Sequence, residues 1–446
     1  MNFYNIYDEI KFRIKHIIVK QQKMIDYLKI NIINFDFEIF EINDNDSIYN
    51  FEMNFFKKLD LNQEGILFHT DSFKKKWFNR HYFSAFEFLE DGTLKIRLGN
   101  KLIAKHICLS KPLSQKNFYN ISFYFNSLNT QSLNINDLFS LIRINSICKI
   151  LDSGDIFNNF EIINMSKVPN IILKSFCKDF EVTPDMFFND TIMETMEYFL
   201  IVEKKLESHI FTEGTKTYIK YHSVSAEKDI LIKEGKKYTN FFVLLTRHFC
   251  ILTRKYTNHI IFNIDLTQQY FDIFKKALEL LGFGNVEIKN ISLENKNLNI
   301  SYKEISDDFS KQSLKYILNS LDEEKFILLN EKNYISKFSI EKLNYIFIFN
   351  SLKQAHEKIG NLVVEKIYKN DLHFTKENYE LLLLLCKYSW IETKTIEKLS
   401  TDFLCKYMYL LAKKISNFLK NTKESDYNLL SFAVVVLEKI ASKIFL

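Results

Sequence analysis

The sequence predicts an α+β protein: a mixed, mainly antiparallel β region with short helices, then an all-helical carboxyl-terminal domain. Three observations carry that prediction. Between about residues 35 and 300, apolar runs with the two-residue period of strands are interspersed with helical runs. Asp91-Gly92 stands between two such runs, and glycine supplies the positive φ that a tight hairpin needs. Beyond about residue 305 there is no proline and one glycine, Gly360, while apolar residues recur three and four apart.

Taken in order, Ile6, Ile10, Ile14, Ile17 and Ile18 give the first 30 residues a helical period. Phe35–Ile42 nearly alternates apolar with acidic residues, as a strand does. The hairpin joins Phe86–Leu89 to Leu94–Leu98, and the runs 102–109 and 118–125 extend it as an antiparallel meander. Residues 138–151 fit helix or strand. Thr183 followed by Pro184 predicts the start of a helix reaching about Glu207. Strands are expected from Thr217 to Ile264, including Phe241–Leu245, with a turn at Glu234-Gly235. A β-α-β unit follows: strand 260–264, a helix over about 268–281 stopped by Gly282-Phe283-Gly284, and a strand at 286–288. Residues 297–302 fit one more strand. About six helices fill the rest, with Leu343, Ile346, Phe347 and Leu352 among the residues that carry the helical period. The composition shifts divide the chain into segments 1–178, 179–304 and 305–446.

Phe (43) and Tyr (23) are abundant while Gly (9) and Pro (3) are scarce, and only six of the 60 basic residues are Arg. That bias points to an AT-rich genome or element, and it weakens any argument from lysine content. With 47% hydrophobic residues the chain can bury a core, which excludes a disordered tail protein. A net charge of +5 from 60 basic and 55 acidic residues is a mixed, solvated surface. The six scattered cysteines form no C-x-x-C and fit a reducing compartment. No run approaches the ~18 apolar residues of a membrane helix, and the amino terminus lacks the pattern of a signal peptide. The expected location is the cytoplasm, with no membrane partner.

Motifs exclude more than they propose. There is no G-x-S-x-G, no P-loop and no dinucleotide fingerprint, so no cofactor is expected. No H-E-x-x-H or H-x-H occurs, and single histidines such as His106, His209 and His248 read as hydrogen-bonders. Two stretches offer chemistry. Lys74, Lys75, Lys76, Trp77, Arg80 and Tyr82 mix cations with aromatic rings, the combination that neutralises phosphates and stacks on the bases of single-stranded nucleic acid or RNA. Asp265 with Glu287 and Lys289 fits the acid plus E-x-K set by which metal nucleases hold Mg²⁺ and orient a water. Arg254 and His259 have the spacing of a helical ribonuclease pair, but their surroundings predict strand or turn.

Without paired catalytic residues or glycine-rich loops, the sequence reads as a non-catalytic binding protein with a protein partner. Toxin immunity, or an accessory role on a plasmid or virus, are its natural forms. A nucleic-acid binder using 73–83 and a metal nuclease using Glu287 and Lys289 are the alternatives.

Overall fold

The computed structural model describes residues 5–19, 39–41, 49–54, 82–108 (without 90 and 92), 119–125, 134–152, 157–164, 170–189 (without 183 and 185), 192–222, 227–254, 258–262, 268–284, 288–291, 298–306 (without 299 and 301), 308–420 (without 370 and 371) and 423–446 (without 424 and 425). The α+β class holds. The chain forms two compact units, each discontinuous in sequence: residues 1–114 with 343–444 and Leu446, and residues 115–342 with Phe445. The sequence predicts consecutive segments instead, because local patterns carry no information about which distant faces meet.

The first unit begins with α1 (Ile6–Val19), which buries Ile6, Ile10 and Ile14 at helical spacing. Strands β1 (Ile39–Glu41), β2 (Phe51–Met53), β3 (Phe83–Phe88) and β4 (Leu94–Leu98) make an antiparallel sheet ordered β1-β2-β4-β3. The predicted hairpin is β3–β4; Asp91 Oδ1 accepts the Thr93 N–H at 2.9 Å and tightens the turn. Residues expected to continue the meander form a helix instead, α2 (Asn100–Cys108). The Gly99 carbonyl accepts from Leu102 and Ile103, and Leu102, Ile103, His106 and Ile107 share the buried side.

The second unit holds a five-stranded parallel sheet and a four-stranded antiparallel one. β5 (Tyr119–Phe125) leads into α3 (Ile135–Asp152), β6 (Phe157–Asn164), α4 (Asn170–Asp179), β7 (Met186–Asn189) and α5 (Ile192–Lys205). Residues 118–125 therefore supply a parallel strand rather than part of a meander. The helix predicted from Thr183 begins at Ile192, after a strand. β8 (Ile210–Glu213), β9 (Lys216–His222), β10 (Glu227–Glu234) and β11 (Lys237–Tyr238) form the antiparallel sheet, with Gly235 at φ 59° in the β10–β11 turn. Phe241–Leu245 lies in a helix, α6 (Asn240–Arg254), where Phe242, Leu245, Phe249 and Leu252 recur at helical spacing in the core. The predicted β-α-β unit is present: β12 (Asn258–Phe262), α7 (Gln268–Leu278) and β13 (Ile288–Ile291), the two strands parallel. Gly282, at φ 100°, breaks the last turn after α7. No strand occurs among the described residues of 297–302, and α8 (Tyr302–Ser306), α9 (Lys311–Ser320) and α10 (Glu323–Ile327) follow.

Helix α11 (Tyr334–Ile359) carries the chain back to the first unit, which is completed by α12 (Lys376–Cys386), α13 (Tyr388–Lys398), α14 (Asp402–Leu419) and α15 (Tyr427–Ile444). The buried apolar residues of α11 are Phe338, Ile348, Leu352, Ala355 and Ile359, while Leu343 and Ile346, which carry the predicted helical period, are exposed. This helix is apolar on several sides, so its period cannot choose among them. Within the unit, Tyr7 of α1 stacks on Trp390 of α13 at 4.0 Å. The Tyr379 hydroxyl of α12 reaches Asn50 Oδ1 at 2.9 Å and the Leu98 carbonyl at 3.0 Å, tying the helices to the sheet. In α13, Glu392 accepts from Lys443 at 2.6 Å and from Tyr388 at 2.5 Å; burial pushes the Tyr388 phenol well above its ordinary range, and the glutamate adds to it.

Candidate active-site crevice of the parallel sheet

The parallel sheet runs β13-β12-β5-β6-β7. The chain travels outward from β5 through β6 to β7, then returns to the other side of β5 with β12 and β13. Parallel crossovers are right-handed, so the two directions of travel put α3 and α7 on opposite faces of the sheet. The strand order reverses between β5 and β12. In open sheets of this kind the ligand crevice lies outside the carboxyl ends of the strands at that reversal. The sheet centre is dry, as a parallel sheet's must be: Ile121 and Ser122 of β5 and Phe160 and Ile162 of β6 are buried.

Helix α3 starts at the crevice, since it carries the chain away from the carboxyl end of β5. Its first turn is closed reciprocally. Asn134 Oδ1 accepts the Asp137 N–H at 2.9 Å, and Asp137 Oδ2 accepts the Asn134 N–H at 3.4 Å, a capping box. The Ile135 N–H donates to the Ile300 carbonyl at 3.0 Å, and the Asn136 side-chain amide to the Leu298 carbonyl at 3.4 Å. A helix start with open amides attracts phosphate; here amides are satisfied within the chain and a carboxylate occupies the first turn. The connection before it, residues 126–133, contains no glycine. The sequence between β5 and α3 therefore offers no glycine-rich phosphate cradle.

Behind the mouth, α3 is enclosed nearly all round: fifteen of its eighteen residues are buried, among them Asp137, Ser140, Arg143, Asn145 and Ser146. The Arg143 guanidinium, 1% exposed and about 9 Å along the helix from Asp137, lies 5.4 Å from the Phe139 ring centre, and Phe139 stacks on Phe326 at 3.8 Å. Ser146 Oγ accepts from the Asn319 amide at 3.0 Å, and Asn145 donates to the Glu181 carbonyl at 3.1 Å. Lys315 pairs with the Glu181 carboxylate at 2.5 Å, which holds that carboxyl below its ordinary range. Burial lowers the Lys149 ammonium, and the Lys315 charge lowers it further. These contacts anchor the helix that follows β5.

The residues singled out in the sequence fall elsewhere. Lys74, Lys75, Lys76, Trp77 and Arg80 lie outside the described residues, as do Asp265 and Glu287. Tyr82 is described, and the Arg13 guanidinium covers its ring at 3.5 Å. Lys289 stands in β13, paired in register with Ile260. The carboxyl end of β12 at Phe262 and the amino end of β13 at Ile288 lie at opposite edges of the sheet, because the strands are parallel. No group of acids, histidines and cysteines among the described residues could hold a metal ion. Arg254 ends α6 and His259 lies in β12, so they share no helix. His106 and His209 are hydrogen-bonded, and His248 is buried edge-on to Phe274. All six cysteines are free; burial pushes the Cys177 thiol up to about 12. No helix among the described residues is long and apolar enough to cross a membrane. Sequence reasoning missed Asn134 and Asp137. Their signal was present, a capping residue and an acid three apart before an apolar run.

No family model and no curated protein matches the chain by sequence. Solved structures do match it. An arginyl-tRNA synthetase from Plasmodium falciparum superposes with a TM-score of 0.74 at 12% identity, over 100% of this chain and 99% of that one. The Thermus thermophilus arginyl-tRNA synthetase gives 0.70 at 10% identity, over 98% and 97%. A putative arginyl-tRNA synthetase from Campylobacter jejuni gives 0.59 at 14% identity, over 77% and 95%. At these identities the likeness is one of fold. It corrects the expectation of a non-catalytic immunity or plasmid or viral accessory protein, because the architecture shared from end to end is one that synthetases use. It also displaces the nuclease and the 73–83 binder as accounts of the whole chain.

Proposed function

We propose that this chain is a tRNA-charging enzyme, joining an amino acid to tRNA at the expense of ATP, with arginine as the amino acid. The observation that carries this is the coverage of the likeness. Two arginyl-tRNA synthetases match over at least 97% of both chains, so the parallel sheet and the carboxyl-terminal helices are shared together. The switch-point crevice is the place where such a fold takes small substrates. The RNA partner expected from the sequence becomes, on this reading, tRNA.

The test is a charging assay with folded tRNA, ATP and each labelled amino acid in turn. Arginine is expected to become acid-stably attached to tRNA only when ATP is present. Bound tRNA that acquires no amino acid under any condition would remove the enzyme reading.

A further inference from the structure

Helices α1 and α2 of the first unit gather cations around one buried carboxylate. The Glu9 side chain is 0% exposed. It accepts from Arg13 Nε at 2.8 Å and also from a terminal nitrogen of the same guanidinium, from Lys105 Nζ at 2.6 Å, and pairs with His106 Nε2 at 2.9 Å. Burial alone would raise the Glu9 carboxyl, but the bonds from His106, Lys105 and Arg13 outweigh it and hold the group at about 2. The Arg13 guanidinium lies over the Tyr82 ring at 3.5 Å, and Lys101 Nζ is 5.5 Å from the same ring centre. Five cations (Lys11, Arg13, Lys15, Lys101 and Lys105) stand on these helices against two carboxylates, Asp8 and Glu9. Asp8 is engaged by the Asn5 amide at 2.7 Å. Arg13 and Lys105 remain 23% and 27% exposed, and Lys101 is exposed.

A buried carboxylate that binds three partners cannot neutralise them all. It fixes their positions while positive charge remains at the surface. We propose that Arg13, Lys101 and Lys105, arranged around Tyr82 by Glu9, form a phosphate-binding surface for the backbone of a folded RNA. The choice of RNA over an acidic protein rests on the tRNA-charging reading. Glu9 is a positioning residue, since it touches the cations and not the phosphates.

The experiment uses the full chain and measures affinity for folded tRNA across a range of salt. Lys101→Gln with Lys105→Gln is expected to weaken binding about tenfold and to reduce the slope of log affinity against log salt by about 1–2, since each phosphate contact contributes roughly 0.7–0.9. Glu9→Gln separates position from charge. It adds a net positive charge, so charge alone predicts tighter binding, whereas lost positioning predicts weaker binding, which is the expected result. Should Glu9→Gln fail to fold, the exposed Lys101→Gln alone is expected to give a slope reduced by about 1. Unchanged affinity and slope in the lysine variants, or no RNA binding by the unsubstituted chain, would overturn the surface. Displacement of the RNA by polyglutamate of equal charge would overturn it too, assigning the surface to acidic proteins. Binding that responds as expected in a chain that charges no tRNA leaves this surface standing and removes only the enzymatic reading.

Discussion

Two carboxylates in this molecule each hold a lysine, and their surroundings make them unequal. Glu9, in the first unit, is fully buried and serves Arg13, Lys105 and His106 at once. Glu181, in the second unit, is 60% exposed and serves Lys315, itself only 8% exposed. Both carboxyls are held below their ordinary range, Glu9 to about 2. The same chemistry has different weight. Solvent screens Glu181, so its pairing contributes little to stability. Glu9 is itself enclosed, so removing it takes the shared anion from Arg13, Lys105 and His106 at once.

The largest expected effect is therefore Glu9→Ala, a loss of about 3–5 kcal/mol in the stability of the first unit. Urea unfolding followed by Trp390 fluorescence measures it, because the Tyr7–Trp390 stack reports on α1. A loss under 1 kcal/mol would erase the contrast with Glu181. Acid sharpens the same point. The folded Glu9 binds its proton less readily than the unfolded chain, so its contribution is complete above about pH 4.5 and disappears as pH falls toward 2. The amount is about 3 kcal/mol from a pKa moved from 4.5 to about 2. Glu9→Gln should flatten that part of the pH profile, and an unchanged acid transition would locate the sensitivity elsewhere. Next in size is Tyr379→Phe, about 1–2 kcal/mol, which removes a hydroxyl bonded at 2.9 Å to Asn50 and 3.0 Å to Leu98. Smallest is Glu181→Gln, below about 1 kcal/mol by thermal unfolding; a larger loss would mean that Lys315 depends on a charge partner more than the exposure of Glu181 implies.

The contrast between half-buried and fully enclosed elements also explains what was legible. β4 alternates buried and partly exposed residues, and its hairpin was readable from Phe86 to Leu98. The β12–α7–β13 unit was readable because a helical period is bracketed by two apolar strands. Helix α3 was ambiguous for the opposite reason: it is buried on nearly every side, so no polar face marks its period. Phe241–Leu245 looked like strand because phenylalanine and valine favour strands, yet the wider spacing of Phe242, Leu245, Phe249 and Leu252 places it in α6. The crevice was not read from the sequence: Asn134 and Asp137 signal no more than a helix start, and the other parts meet through strand order.

The sequence by itself determined the α+β class, the helical carboxyl-terminal region, the free cysteines and the absence of a glycine-rich phosphate loop. Each depends on composition or on a short period, and those survive in one dimension. Tertiary structure alone decided that β5 sits between β6 and β12, that the strand order reverses there, and that Glu9 meets Lys105 and His106 nearly a hundred residues away. Those facts depend on pairings between distant segments. The free energy of such pairings comes from burial and from charges brought out of water together, quantities that no local window of residues contains.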